Sequence, residues 1–444
     1  MKFVADYEYY LATGNTNAST SEHEGWQACA DWCRAKKQNM LMQEGVLLLD
    51  GGRVWLWPTA GETVICKGQG RGKTFVFNTI QTTTGDVFAN MPVGGQNSDR
   101  PGTNEWHDFT ILETANGDLD GTSGVNGIGG VYCDGLVLKN MDIFKAGNRA
   151  ITTEAFGYLQ RFELENVRVD GSWKNAIQVG GIDPTGELPC DISFTNVIVD
   201  GYNLIANEVG GLVNQNQGVR ITAGDAANIH IAINGRVEIR NGFAQAFLCP
   251  VGVFTGNGGI FIENITTPDD NSENNTSAVL IGQANMSIPR IDIDGVIGGG
   301  GIRTYADVGQ LVTFNGLKVR NAELYDATFR CAVNAVGIDF NREDLNPALV
   351  REVPNNVIQS SIIRAVIPIA DFSGNKIYPT SSGIDLTGTS IVEVGCRFGE
   401  PYFSTSDFTD LRFLWSGSER VLGDWRVISQ NNTLGIHREA NGLR

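Results

Sequence analysis

The stretch LENVRVDGSWKNAIQVGG, residues 164–181, returns as FTNVIVDGYNLIANEVGG, residues 194–211, with nine of eighteen positions identical. The shared residues are Asn166/Asn196, Val167/Val197, Val169/Val199, Asp170/Asp200, Gly171/Gly201, Ala176/Ala206, Val179/Val209, Gly180/Gly210 and Gly181/Gly211. A unit this short cannot bury its own apolar side, so successive units must stack on one another. The same pattern extends to segments starting at 136, 162, 192, 229, 260, 291 and 312, which are separated by 26, 30, 37, 31, 31 and 21 residues.

Each unit reads apolar-x-apolar-x-Asn/Gly-apolar-x-apolar, as in Phe162-Glu-Leu164-Glu-Asn166-Val167-Arg-Val169. Alternation of this kind is that of a strand, and the amide or glycine in its middle marks a corner. Constant strands with variable unit length put the insertions at one corner. The Asp-Gly pairs at 170 and 200 recur once per unit at one phase, as coil corners do, rather than as hairpin turns between antiparallel partners.

The expected fold is therefore all-β: a right-handed single-stranded parallel β-helix, with a propeller or stacked sandwich as alternatives. Neighbouring coils lie about 4.8 Å apart. Asn140, Asn166, Asn196, Asn264 and Asn315 are then expected to form a corner ladder that satisfies polar groups at the bend. The pairs Leu164/Phe194, Val167/Val197 and Val169/Val199 fill the interior, and Gly180, Gly181, Gly210 and Gly211 permit the turn that leaves each coil.

The ends differ from the middle. Residues 21–38 place Trp26, Cys29, Ala30, Trp32 and Cys33 on one helical face behind a Ser21/Glu24 capping pair, a helix suited to plugging an open parallel edge. Beyond about 350 the alternation persists but the Asn phase is lost. The expected division is 1–44 for leader and capping helix, 45–350 for the β-helix, and 351–444 for an irregular β-rich cap or oligomerisation region.

Composition narrows the function. Gly is high at 55 residues against 13 Pro, which fits tight turns rather than a linker. The formal net charge of −17 argues against a nucleic-acid partner, which requires clustered Lys and Arg. No apolar run reaches the length of a membrane span, and the first twenty residues lack the layout of a secretory signal. The eight cysteines are scattered, with Cys29 and Cys33 one helical turn apart, so they read as buried reduced thiols. No finger-like Cys/His spacing predicts a metal, and no cofactor motif is expected. In GQGRGK, Lys73 comes one position early for a phosphate loop counted from Gly68, so the segment reads as a coil turn.

The helix segment EGWQACADWC, followed by GVLLLDGGRVWLWPTAGETVICKGQGRGKTFVF at 45–77, resembles the opening of the pectin lyase-like superfamily, as in phage tailspikes and related polysaccharide-degrading proteins. The motif likeness spans roughly residues 20–80 and the repeat style extends to about 340. The resemblance implies a bacterial surface polysaccharide as partner (capsule, exopolysaccharide or O-antigen), a homotrimer, and a virion location on a phage tail. It transfers no catalytic residue: the polygalacturonase Asp-Asp pair within a coil is absent, and so is its Gly-His-Gly.

Candidate site residues come from the stacking itself. Glycoside hydrolysis needs two carboxyl groups about 5 Å apart for retention or roughly 6.5–9.5 Å for inversion, and stacked coils supply such gaps. With Val167 and Val169 inward, Asp170 and Asp200 point out, one above the other, and their repulsion predicts a raised pKa for one of them; a solvated Asp beginning an ordinary Asp-Gly corner is the more common use of this pattern. Thr152, Gln178 and Glu208 form a second expected outward column. Asp170, Asp200 and Glu208 are the expected catalytic residues, with Glu154 a further carboxylate of interest. Trp173, Gln178, Asp183, Glu187, Arg220 and Asp225 are the expected substrate contacts, while Trp106, Lys174 and Asp191 are secondary. Three activities remain: a tailspike-like depolymerase, a non-catalytic glycan-binding fibre or adhesin, and a free-standing polysaccharide lyase or epimerase.

Overall fold

The structure, a computed structural model, describes residues 2–3, 20–49, 54–56, 58–59, 61–78, 84–89, 102–114, 124–131, 133–154, 159–182, 187–204, 216–222, 228–249, 252–266, 279–281 and 287–297, and beyond these the short strands named below. The chain divides into two units, Met1–Gly258 and Gly259–Arg444.

In the first unit the expected coils are present. Thr103–Thr114, Gly135–Ala146, Arg161–Ser172 and Cys190–Asp200 lie side by side in parallel register, so that Leu138 meets Leu164 and Leu164 meets Phe194. The last of these is continued by two strands, Ile229–Ile233 and Arg236–Phe243. A second parallel sheet runs through Gly124–Val131, Ile151–Glu154, Ile177–Val179, Gln217–Ile221 and Gln245–Cys249. This is a parallel β-helix, each coil having two arms in the first sheet and a third in the second.

The corner between the first two arms explains the sequence pattern. Leu164 and Val167 are an odd number of positions apart, so a straight strand would send them to opposite faces. Both are buried, because Asn166 between them takes φ 53° and bends the chain. Asp108, Asn140 and Asn196 hold the same left-handed conformation, at φ 60°, 52° and 53°. This region costs little for Asn and Asp, whose short side chains bond locally. The next coil puts Gly235, φ 101°, in that place.

The amides stack as expected. Asn140 donates to Asp108 at 3.0 Å, Asn166 to Asn140 at 3.1 Å and Asn196 to Asn166 at 3.2 Å. The ladder lies at the surface rather than in the interior, since Asn166 is half-buried and Asn196 exposed. Corners project outward, and the amides there bond to each other rather than to the core. Asn264, φ 53°, belongs to the second unit, and Asn315 lies outside the described residues.

Inside, the columns Leu136/Phe162/Ile192/Ile231, Met141/Val167/Val197/Val237 and Ile128/Ile151/Ile177/Val219/Phe247 are essentially inaccessible. Each such side chain contributes about 1.5–3 kcal/mol relative to exposure. The helix Thr20–Lys36 closes this stack: Trp26, Cys29, Ala30 and Cys33 are buried, and the Trp26 ring lies 5.8 Å from Phe88, which in turn sits 4.7 Å from Trp106. Trp32 is only half-buried, and the side chains of Ser21 and Glu24 lie outside the described residues.

The GQGRGK segment is an enlarged first corner. Gly68 donates to the His107 carbonyl and Gly70 to that of Asp108, and a Cβ at Gly68 would stand 2.3 Å from the Asp108 oxygen.

In the second unit, Gly259–Thr266, Arg290–Ile297, Leu317–Ala322 and Asp339–Asn341 pair in parallel, and Val279–Ile281 pairs with Ile302–Thr304. Ser287–Ile288, Leu311–Phe314 and Ala332–Ala335 make a further parallel set. Parallel pairing is also found past residue 350, Ala370–Asp371 with Ile391–Val392 and Lys376–Ile377 with Arg397–Phe398. Among the described residues, antiparallel pairing is found in the meander Arg420–Leu422, Trp425–Gln430 and Thr433–Arg438.

Candidate functional site

The second arm presents the expected carboxylates. Val167 and Val169 face in, and Asp170 pairs with Asp200, which pairs with Arg240 on the following coil. The side chains of Asp170 and Asp200 retain 38% and 19% of their surface. Arg168 links them: its Nη2 is 2.5 Å from Asp170 Oδ2 and 3.7 Å from Asp200 Oδ2. Arg240 donates to Asp200 at 2.7 Å and to Glu238 at 2.6 Å, and Asn241 donates to the other oxygen of Asp200 at 2.8 Å. On the neighbouring coils Arg71 is paired with Asp142 and donates to the Asn166 carbonyl at 3.2 Å.

These partners overturn the expected electrostatics at Asp200. Burial alone would raise its pKa, but hydrogen bonds from Arg240 and Asn241 and the charges of Arg240 and Arg168 hold it below the usual carboxylate value. The repulsion foreseen between Asp170 and Asp200 is neutralised by Arg168 between them. An ionised, hydrogen-bonded carboxylate is equipped to accept a proton or attack as a nucleophile, not to act as general acid.

The second expected column is also corrected. Gln178 pairs with Thr152 on one side and Arg220 on the other, so Arg220 occupies the place assigned to Glu208. Beside Gly180 stands Thr222, whose N–H donates to the Val179 carbonyl. Arg220 thus belongs to the strand Gln217–Ile221. Nor is the column open: Thr152 is 2% exposed and Gln178 9%. Gln178 accepts from Asn175 at 2.6 Å, within a buried amide network in which Asn216 donates to Asn203 and Gln217 to Gln245.

Of the remaining expected contacts, Trp173 is half-buried just after the Gly171 corner and Glu187 is exposed. Trp106 is fully buried against Phe88, which removes it as a sugar platform. Asp191 is the second residue of the strand Cys190–Asp200 and contacts His230 at 3.1 Å. Asp183, Glu208 and Asp225 lie outside the described residues, as does the Glu154 side chain.

Sequence reasoning missed a cluster on the outer face of the first arm. His107 lies 3.1 Å from Glu105, Lys139 lies 2.9 Å from Glu163 and 3.3 Å from Glu165, and Arg161 reaches Glu163 at 2.6 Å and Glu105 at 3.7 Å. Glu105 and Glu163 each pair with Val137, from opposite sides, so their backbones are two coil steps apart, about 9.6 Å. Burial drives the His107 pKa down against the pull of Glu105 and Asp108. Burial acts upward on Glu163, yet Lys139 and Arg161 leave it below its ordinary value. Alternation marks all of these positions as outward, but nothing local says that Glu105, Arg161 and Glu163 meet.

Among the described residues no group of His, Cys, Asp and Glu is arranged to hold a metal ion, and no helix is long and apolar enough to cross a membrane. The described cysteines, 29, 33, 66, 133, 190 and 249, are buried.

No protein-family model matches the chain, and no curated protein matches it. Comparison with solved structures gives distant likenesses, three of which follow. Two are A-modules of Azotobacter vinelandii mannuronan C-5 epimerases. That of AlgE4 is 12% identical with a TM-score of 0.32, covering 89% of this chain and 92% of that one. That of AlgE6 is 12% identical with a TM-score of 0.32, covering 90% and 91%. The third, ORF18 of Geobacillus virus E2, is 11% identical with a TM-score of 0.33, and the match covers 97% of this chain but 64% of that one. Likeness at this level carries nothing about activity to this chain.

Proposed function

We propose that this chain is a tailspike-like protein that binds a bacterial surface polysaccharide along the side of its β-helix and cleaves it by glycoside hydrolysis. The observation that carries the reading is the stacking of Asp170 on Asp200, adjacent coils in register on a half-exposed face, with Arg168 reaching both. A polymer lying along the stack would meet one carboxylate per coil, at the separation of about 5 Å that suits retention. In this reading the ionised Asp200 is the nucleophile or base, and the proton reaches the leaving oxygen from Glu208, or from Asp170 once the bound polymer has displaced Arg168 from it. Trp173, Asp183, Glu187, Arg220 and Asp225 supply substrate contacts, Trp173 by stacking on a sugar ring, while the buried Gln178 holds the strand beneath them rather than the polymer. Attachment to a phage tail as a homotrimer belongs to the same proposal.

A second reading, glycan binding without cleavage, is favoured by one observation: Asp142, Asp170, Asp200 and Glu238 on this face are all engaged by arginines. One experiment separates the readings. The purified protein is incubated with capsule or lipopolysaccharide from candidate hosts, and new reducing ends and the absorbance of unsaturated uronates are followed. Reducing ends alone support the hydrolase, both signals identify a lyase, and a bound glycan with neither identifies an adhesin. Light scattering of the same sample tests the trimer.

A further inference from the structure

Four Asn-Gly pairs fall within the described residues, at 126, 234, 241 and 257. In such a pair the glycine N–H can attack the asparagine side chain, provided that this N–H is not hydrogen-bonded and the side chain is free to turn. The four differ sharply in these respects. Gly127 donates its N–H to the Arg149 carbonyl at 3.0 Å, and Gly258 donates to the Ile233 carbonyl at 2.8 Å. Asn241 holds Asp200 through its amide at 2.8 Å, while the following Gly242 is wedged against Tyr202, where a Cβ would lie 1.8 Å from the ring. Asn234 and Gly235 are both exposed, the Gly235 N–H makes no hydrogen bond among the described residues, and the Asn234 amide has only a 3.5 Å contact with Ser193.

The fold explains the exception. On the preceding coils the left-handed corner residue is an Asn or Asp laced into the side-chain ladder. On this coil glycine takes the corner, and the asparagine is displaced by one position to a place where the ladder has no partner for it.

We propose that Asn234 is a site of spontaneous backbone modification in the folded protein. The Gly235 nitrogen attacks Asn234 Cγ, a C–N bond forms, the side-chain nitrogen leaves as ammonia, and a cyclic imide results. Water then opens either carbonyl, giving aspartate or isoaspartate. The isoaspartate route adds one carbon to the main chain next to Asn196, whose Oδ1 is already within 2.6 Å of where a Gly235 Cβ would stand. The modification therefore unlaces the end of the amide ladder and adds a negative charge to the corner. It is independent of the hydrolase reading and survives its failure.

The test compares folded protein with protein unfolded in urea, both held at mildly alkaline pH, digested and analysed by mass spectrometry with isoaspartate-specific methylation. Unfolded, the four pairs should convert at comparable rates. Folded, Asn234 should stay within about threefold of its unfolded rate while Asn126, Asn241 and Asn257 slow on the order of tenfold or more, the factor imposed by a local opening free energy of about 1.4 kcal/mol. Asn234→Ser should abolish isoaspartate in that peptide and leave the other three rates unchanged. Protection of Asn234 as strong as that of the other three would overturn the proposal, as would faster conversion at any of them in the folded protein.

Discussion

Asn196 donates its side-chain amide to Oδ1 of Asn166 across 3.2 Å, although the two are thirty residues apart in sequence. Each rung of the ladder holds two coils together at the left-handed corner between the first two arms.

Asn166 both accepts from Asn196 and donates to Asn140. Asn166→Ala loses both bonds and places a Cβ-bearing residue with no local hydrogen bond at φ 53°. The expected loss is about 2 kcal/mol in denaturant unfolding, whereas Asn166→Gly, which relieves the backbone, loses about half of that. Equal losses for both variants would show that the corner conformation is not at issue.

Gly242 allows the Tyr202 ring into the coil, where its hydroxyl donates to the Ala244 carbonyl at 3.2 Å. Gly242→Ala is expected to destabilise by about 3 kcal/mol through overpacking. In a Tyr202→Leu background the same substitution should cost at least about 1 kcal/mol less, since the clash is with the ring. Additive effects in the double mutant would refute this contact.

Asp200 has a folded pKa below its unfolded value of about 3.9. Its ionisation therefore stabilises the fold above about pH 4, and that contribution is lost as pH falls through the lower folded value. Asp200→Asn should be less stable than wild type at neutral pH and should show a shallower decline between about pH 4 and more acid conditions. Parallel stability curves for the two proteins would mean that Arg240 and Arg168 give the carboxylate no net support.

If cleavage occurs on the second arm, Asp170→Asn, Asp200→Asn and Glu208→Gln should each keep the far-ultraviolet spectrum of the parent and lower the release of reducing ends by about 100-fold or more. Full activity in all three would move the search to Glu105, His107 and Glu163 on the first arm.

The Cys190 thiol is pushed up to about 12 by burial, with Asp191 and Cys133 adding to the shift. It should resist alkylation by iodoacetamide at about pH 8 in the native protein and react on unfolding, as read by peptide mass spectrometry. Native labelling would place this coil start in solvent.

Much of the fold could be read without coordinates because a stacked coil writes its geometry at short range. The odd spacing between Leu164 and Val167 demands a bend, and only Asn, Asp or Gly takes the left-handed angle there at little cost. The same unit recurs, so Asn166 over Asn196 and Val167 over Val197 were legible as vertical neighbours. The third arm was not. The sequence match continues through Ala206, Gly210 and Gly211, yet Ile177 rests beneath Val219 and Gln178 beneath Arg220.

The sequence by itself determined that the chain coils, where it turns, and which side chains of the first two arms face in, because these follow from the local period and from backbone sterics. Only the tertiary structure decided what each outward charge meets. Arg240 reaches Asp200 from forty positions away, and Arg161 reaches Glu105 from the second coil along. Coulomb interactions act across space, so the protonation of Asp200, Glu163 and His107 was set by the rise from coil to coil and by insertion lengths that no local pattern records.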